Sequence, residues 1–275
     1  MDTQARVRSD TCGLDQLIAP YVIADEVRDQ LVRGEGWLRR WMTAWRFAGD
    51  EVVWPVCDLV AVPVFGSEPV RRFTWRARQR HRPGLQFMVS TGRHHGFESL
   101  EEQRLLLALD FLRVAEVLPQ PFRLEFEHAG GRAAHTPDFL VIWPGGGRWL
   151  FDVRPLRLIG LDDALKFAAA GEAAAACGWR YAVVSGWRPH VFAGLDALSA
   201  QRRPLEDLLE VQEPLLQAVV GQPLALGELA AAMDWPVVAR AHLLHLLWHR
   251  RLAVDLGKPL GDGSLVWAGG KGREG

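Results

Sequence analysis

The chain has 275 residues, of which 49% are hydrophobic and 24% charged, with 32 Lys and Arg against 33 Asp and Glu. That balance suits one large or two ordinary globular domains and excludes a disordered polyelectrolyte. Cys12, Cys57 and Cys177 are odd in number and form no C-x-x-C pair, which argues against a disulfide frame or a zinc site and for a reducing compartment.

The start, Met1-Asp2-Thr3-Gln4-Ala5-Arg6, lacks the apolar run of a signal peptide, and no stretch reaches the roughly 18 apolar residues of a membrane span. A cytoplasmic location without membrane attachment is expected. Residues 1–41 read as a helical extension, with one helix from about Ala24 to Trp41. Trp45-Arg46-Phe47 and Glu51-Val52-Val53-Trp54 read as a hairpin turning at Gly49-Asp50, and Leu59 to Phe65 as an edge strand broken by Pro63. Residues 42–95 thus form a β-rich, basic subdomain. Between Val70 and Gly96 lie Arg71, Arg72, Arg76, Arg78, Arg80, Arg82 and Arg93, with His81, His94 and His95 and no acid. Such a block suits a polyanion, so these arginines are candidate DNA contacts. Lysine occurs only at positions 166, 258 and 271, so some of this arginine reflects composition.

Residues 96–190 carry the chemistry. A helix is predicted over 98–113, with Ser99 as N-cap and Glu102 completing a capping box; Leu105, Leu106, Leu109 and Leu112 form its buried stripe. Strands at 122–126, 138–143 and 149–153 read as an antiparallel meander with turns at Gly130-Gly131 and Gly145-Gly146-Gly147. An alanine-rich helix over 164–177, capped by Asp162 or Asp163 and closed by Gly178, leads to a strand at 179–184 through a right-handed crossover. The predicted class is α/β (α+β), a mixed sheet flanked by helices. Residues 191–268 read as helices at 205–220, around 226–233 and at 237–250, then a hairpin, which is a winged helix-turn-helix pattern. Residues 269–275 form a flexible tail.

Phosphodiester hydrolysis uses a divalent cation bound by hard oxygen ligands. Asp138 and Asp152 start and end neighbouring strands and can face one side of the sheet. Glu102 can add a third carboxylate from the helix, although its spacing from Ser99 is equally that of a simple cap. The Val153 carbonyl is a further candidate ligand. Arg154 shares the facing of Asp152 by the strand period of two and could hold the scissile phosphate. The expected cofactor is Mg2+, with Mn2+ as an alternative. His242, His245 and His249 lack a fourth ligand and read as packing residues, and His94 and His95 as loop residues that could reach phosphate.

Taken together, Gly96-Phe97-Glu98-Ser99…Glu102, Gln120-Pro121, Pro137-Asp138-Phe139, Asp152-Val153-Arg154-Pro155 and Gly178-Trp179-Arg180-Tyr181 resemble the TnsA-like endonuclease subunits of heteromeric transposases, within the PD-(D/E)xK nuclease superfamily. The likeness runs from the basic block to Pro259-Leu260, about two-thirds of the chain. It implies a restriction-endonuclease-like core and Mg-dependent cleavage at transposon ends, alongside a DDE-type transposase subunit and an AAA+ ATPase regulator. Glu102 falls on the helix acid, Asp138 on the PD aspartate and Asp152 on the last acid, and Gln120 joins the candidate DNA contacts. Arg154 stands where the superfamily has lysine. It stays charged and can bind phosphate, but it cannot serve as a general base. Lys166 is the alternative relocated cation. A restriction or repair nuclease, or a silent DNA-binding or scaffold subunit, are the other readings.

Overall fold

The structure, a computed structural model, describes residues 6–71 and 83–270. It is mixed α/β, with several antiparallel pairings, and divides into two compact units. One is Ala19–Leu106 with Arg113–Gly186; the other gathers Leu107–Leu112 and the described parts of Met1–Ile18 and Trp187–Gly275.

In chain order the elements up to the first long helix are β1 (Ile18–Tyr21), α1 (Asp25–Arg28), α2 (Trp37–Arg40), β2 (Met42–Phe47), β3 (Asp50–Pro55), β4 (Gly84–Met88), β5 (Arg93–Phe97) and α3 (Leu100–Phe111). There follow β6 (Glu116–Pro119), β7 (Arg123–His128), β8 (Gly131–His135), β9 (Phe139–Ile142), β10 (Arg148–Val153), α4 (Leu161–Ala176) and β11 (Arg180–Trp187). The main sheet has the order β1-β11-β10-β9-β6, with β10 parallel to β11 and antiparallel to β9. Every residue of β9 is buried, which fits a strand covered on both faces. Small side chains on α4, Ala168, Ala169, Ala170 and Ala173, are fully buried and belong to the same core as Leu140, Leu150 and Val183. At Gly171 an added Cβ would sit 3.2 Å from the Tyr181 ring, so glycine there lets that ring lie against the helix. Gly178, at φ 71, makes the left-handed exit from α4 into β11.

A second sheet, β3-β2-β7-β8, packs Trp41 and Trp45 against Phe126 and Phe122. Its hairpin turns at Ala48 and Gly49, with φ of 50 and 90, so the turn sits one residue earlier than predicted, as a two-residue turn with both φ positive requires.

Several expectations are corrected. The single helix over 24–41 is two short ones, because Gly34 and Gly36 interrupt it and the backbone of Val32 instead donates to Glu127 O at 3.0 Å. The edge strand at 59–65 is helical 3-10 turns, Val56–Ala61 and Val64–Gly66, on either side of Pro63. The three-strand meander does not form. β7 pairs with β2 and β8, while β9 takes β6, a strand absent from the sequence reading, as its other neighbour.

The other unit holds α5 (Val191–Ser199), α6 (Gln212–Ala218), β12 (Leu224–Ala225), α7 (Leu226–Ala231), α8 (Pro236–Trp248), β13 (Leu252–Ala253) and β14 (Leu265–Ala268). A three-stranded sheet runs β12-β14-β13. The helix expected over 205–220 starts late, because the Asp207 carboxylate accepts from the N–H groups of Val211 and Gln212 at 2.8 and 2.9 Å and caps α6 there. His242 is buried against Gln212, while His245 and His249 bond the backbone carbonyls of Gln201 and Arg202. The His245 and His249 rings lie 4.3 Å apart, centroid to centroid, beside these neighbouring carbonyls. Among the described residues, no helix is long and apolar enough to cross a membrane.

Trp45 is fully buried and its indole N–H donates to Thr43 Oγ1 at 3.1 Å. Trp45→Ala should therefore lower unfolding free energy by about 3–5 kcal/mol in chemical denaturation. Val53→Ala, on the exposed face of β3, should change it by less than about 0.5 kcal/mol.

Candidate active site

The entrance of β9 and the exit of β10 lie side by side. Asp138 N–H donates to Phe151 O at 3.0 Å, and Gln120 N–H donates to Asp138 O at 2.7 Å, so the backbone of Asp138 is held from both neighbours. Its carboxylate turns to β10, where Oδ2 accepts the Val153 N–H at 2.7 Å. The part of Val153 that bonds Asp138 is its N–H.

Asp152 is only 2% exposed. Its Oδ2 accepts the Tyr181 hydroxyl at 2.6 Å, and its Oδ1 lies 2.8 Å from His135 Nε2. Neither partner was singled out from sequence as part of the site. Tyr181 was legible in principle. Asp152 pairs with Val183, and Tyr181, two residues earlier on β11, faces the same side. His135 comes from β8, a strand the sequence reading lacked.

Glu102 lies in the first turn of α3. Its Oε1 accepts the Ser99 hydroxyl at 2.8 Å, its Oε2 accepts the Glu98 N–H at 2.8 Å, and its own N–H donates to Ser99 Oγ at 3.2 Å. Ser99 thus caps α3 as expected, but the Glu102 carboxylate reaches the N–H of Glu98, one residue before the cap, so only half of the expected capping box forms. The same carboxylate also acts on Asp138, and these two roles coexist.

Burial pushes the Asp138 carboxyl well above the usual carboxylate range, and the negative charges of Glu102 and then Asp152 push it further. The Val153 N–H and the more distant Arg71 oppose this without cancelling it. Burial likewise raises Glu102, against the bonds from Glu98 and Ser99. Tyr181 is raised well above its ordinary value by burial and by Asp152, so its hydroxyl stays protonated and donates.

The three acids line one cleft of about 610 Å3. Glu102, Asp138, Asp152 and Val153 all border it, and Arg71, Arg123, Arg154, Arg157 and Lys166 supply cations to its walls. Arg154 borders the same cleft as the acids. β10 ends at Val153, and the guanidinium leans toward the start of α4, with Nε 3.4 Å from Leu158 O and 3.6 Å from Asp163 Oδ2. Lys166 borders the cleft while paired with Asp162. Arg71 pairs with Glu98 at 3.3 Å.

Arg72, Arg76, Arg78, Arg80 and Arg82 lie outside the described residues, as does His81. Arg93 pairs with Glu116 and is not part of the cleft lining. Gln120 is 2% exposed at a positive φ of 46, and its side-chain oxygen has no partner among the described residues. Its observed part is to position Asp138 through its backbone. His94 lies against Phe87 with the rings tilted, and burial lowers His95 to about 4, neutral beside Thr91.

Among the described residues, no three His, Cys, Asp or Glu side chains are already gathered around a point that could hold a metal ion. The donor set nevertheless fits a hard divalent cation in kind and charge. Three carboxylates with like charge share the cleft, and each bonded oxygen keeps a second lone pair. Asp138, held by one N–H, has the least committed carboxylate of the three. No protein-family model matches the chain, and no curated protein does.

A carboxyl with a raised pKa in the fold makes stability fall as pH rises from its unfolded value of about 4 toward its folded value. Asp138→Asn removes that charge and leaves an oxygen for the Val153 N–H. Its thermal midpoint should exceed that of the metal-free wild type at pH 8, and the difference should vanish at pH 4. Paired melting curves across pH check this.

Proposed function

We propose that this chain is a metal-dependent DNA endonuclease subunit of the TnsA-like kind, hydrolysing phosphodiester bonds at transposon ends. The observation that carries the reading is the set of Glu102, Asp138 and Asp152 on one cleft whose walls bear Arg71, Arg123, Arg154, Arg157 and Lys166. Acids at the floor and cations on the walls suit a phosphate group that arrives with a metal ion. The β10-α4-β11 parallel unit with antiparallel β9 supports a restriction-endonuclease-like core over 96–190. The order α6, β12, α7, α8, β13, β14 supports a winged helix within 191–268.

Asp138, Asp152 and Glu102 would hold Mg2+ or Mn2+, with the Val153 carbonyl as a further ligand. Bound there, the ion would polarise the phosphoryl oxygen and lower the pKa of the attacking water. The chain's own residues do the rest. Tyr181 and His135 fix the orientation of Asp152, and the Val153 N–H fixes that of Asp138. Arg154 and Lys166 offer charge to the phosphate oxygens from the cleft wall. A DDE-type transposase subunit and an AAA+ ATPase as partners rest on the family resemblance. A restriction or repair role would use the same site without them.

One observation favours a second reading, a silent DNA-binding or scaffold subunit. Arg154 replaces the superfamily lysine and is drawn to Asp163, while both oxygens of Asp152 and of Glu102 already have partners.

Nicking of supercoiled plasmid in Mn2+, by the chain with its partners, separates the two. Wild type should nick and Asp138→Ala should not. Arg154→Ala should lower the rate by about 10²–10³, with Arg154→Lys within about tenfold of wild type. Identical profiles for wild type and Asp138→Ala would leave the silent reading standing. A binding readout needs no cutting: Mn2+ should raise the thermal midpoint of wild type and leave that of Asp138→Ala unmoved.

A further inference from the structure

The chain between β10 and α4 carries an apolar feature that the hydrolytic site does not require. Leu156 is 62% exposed, Leu158 49% and Leu161 83%, within six residues of one another. Arg154 and Arg157 alternate with the first two, and both are exposed. Leu158 borders the cleft, and Leu100, 51% exposed at the start of α3, borders it from another element. Single exposed leucines are ordinary, but Leu156 and Leu158 on one short connection that borders a charged cleft, with Leu161 opening α4 just after it, call for a partner.

The connection is preformed. Leu156–Leu158 make a 3-10 turn, closed by the Leu158 N–H to Pro155 O at 2.8 Å. Arg154 Nε donates to Leu158 O, and the Asp163 carboxylate accepts the Gly160 N–H at 3.2 Å. Ile159 packs on the core beneath. The leucines are therefore held up on an anchored turn, a rigid ridge flanked by guanidinium groups.

We propose that this ridge is a DNA wedge. Leu156 and Leu158 insert at a base step beside the scissile phosphate, while Arg154 and Arg157 hold the flanking phosphates, so the preferred substrate is duplex DNA unstacked at that step. Charge complementarity favours DNA as the occupant, since the cations beside the leucines suit a phosphate backbone and Arg154, Pro155, Arg157 and Leu158 all border the cleft of the three acids. Apolar side chains placed between cations are how architectural proteins unstack and kink a duplex. The inference rests on reading the cleft as a nuclease site.

The test measures affinity of the full chain, in Ca2+, for an intact duplex and for the same duplex with a one-base bulge. Unstacking an intact step costs a few kcal/mol, so wild type should bind the bulged duplex about tenfold more tightly or better. Leu156→Ser/Leu158→Ser, at exposed positions and with unchanged melting, should bind the two within about twofold. Leu156→Met/Leu158→Met should restore the preference. Equal affinity of wild type for the two duplexes, or a preference that survives the serine variant, overturns the wedge. Loss of transposase-subunit binding in the serine variant, with its DNA preference intact, would assign the ridge to a protein and also overturn it. Nicking without bulge preference would sink the wedge and leave the nuclease; bulge preference without Mn2+-dependent nicking would do the reverse. No DNA binding at all would overturn both.

Discussion

The hydrogen bond from the Val153 N–H to Asp138 Oδ2, 2.7 Å long, ties the entrance of β9 to the exit of β10 and aims a carboxylate into a space it shares with two others. A hydrogen bond to a charged group contributes about 1.5–3 kcal/mol, whereas two like charges about 4 Å apart near a protein surface repel by roughly 4 kcal/mol. One N–H does not balance such a neighbourhood. Burial first, and then the charges of Glu102 and Asp152, displace Asp138 upward, while burial raises Glu102. Acids with raised pKa gathered in a cleft are candidate functional groups, and Glu102, Asp138 and Asp152 form such a set.

The surrounding structure can be understood as what holds those acids in place. The buried apolar strand β9 fixes the height of Asp138 in the sheet. Tyr181 and His135 occupy both oxygens of Asp152, and the close approach of α4 at Gly171 sets the Tyr181 ring. Ser99 and Glu98 hold Glu102 through the bonds that cap α3, so one arrangement starts a helix and orients an acid. The same economy extends to the wall of the cleft, where Asp163 braces the start of α4 and draws Arg154 outward. Cations on the walls, and not one lysine beside the acids, are what this cleft offers a phosphate.

Much of this was legible in the sequence where the signal was local. The capping pair Ser99 and Glu102, the stripe through Leu109, the glycine exit at Gly178 and the β10-α4-β11 order depend on neighbours in the chain. What failed depended on distant pairing. β6 and β8 are short, and without them β7 is assigned to the wrong sheet and His135 cannot be placed beside Asp152. Gln120, grouped with the DNA contacts on resemblance, is buried and acts through its backbone.

The central claim is that Asp138, Asp152 and Glu102 serve one divalent cation. The most direct measurement is anomalous X-ray scattering from crystals grown with Mn2+. The account predicts a peak in the cleft with a carboxylate oxygen of Asp138 about 2.0–2.3 Å away and oxygens of Asp152 or Glu102 completing the protein ligands. A cleft without a peak at saturating Mn2+, with Asp138 still bonded only to the Val153 N–H, would contradict it.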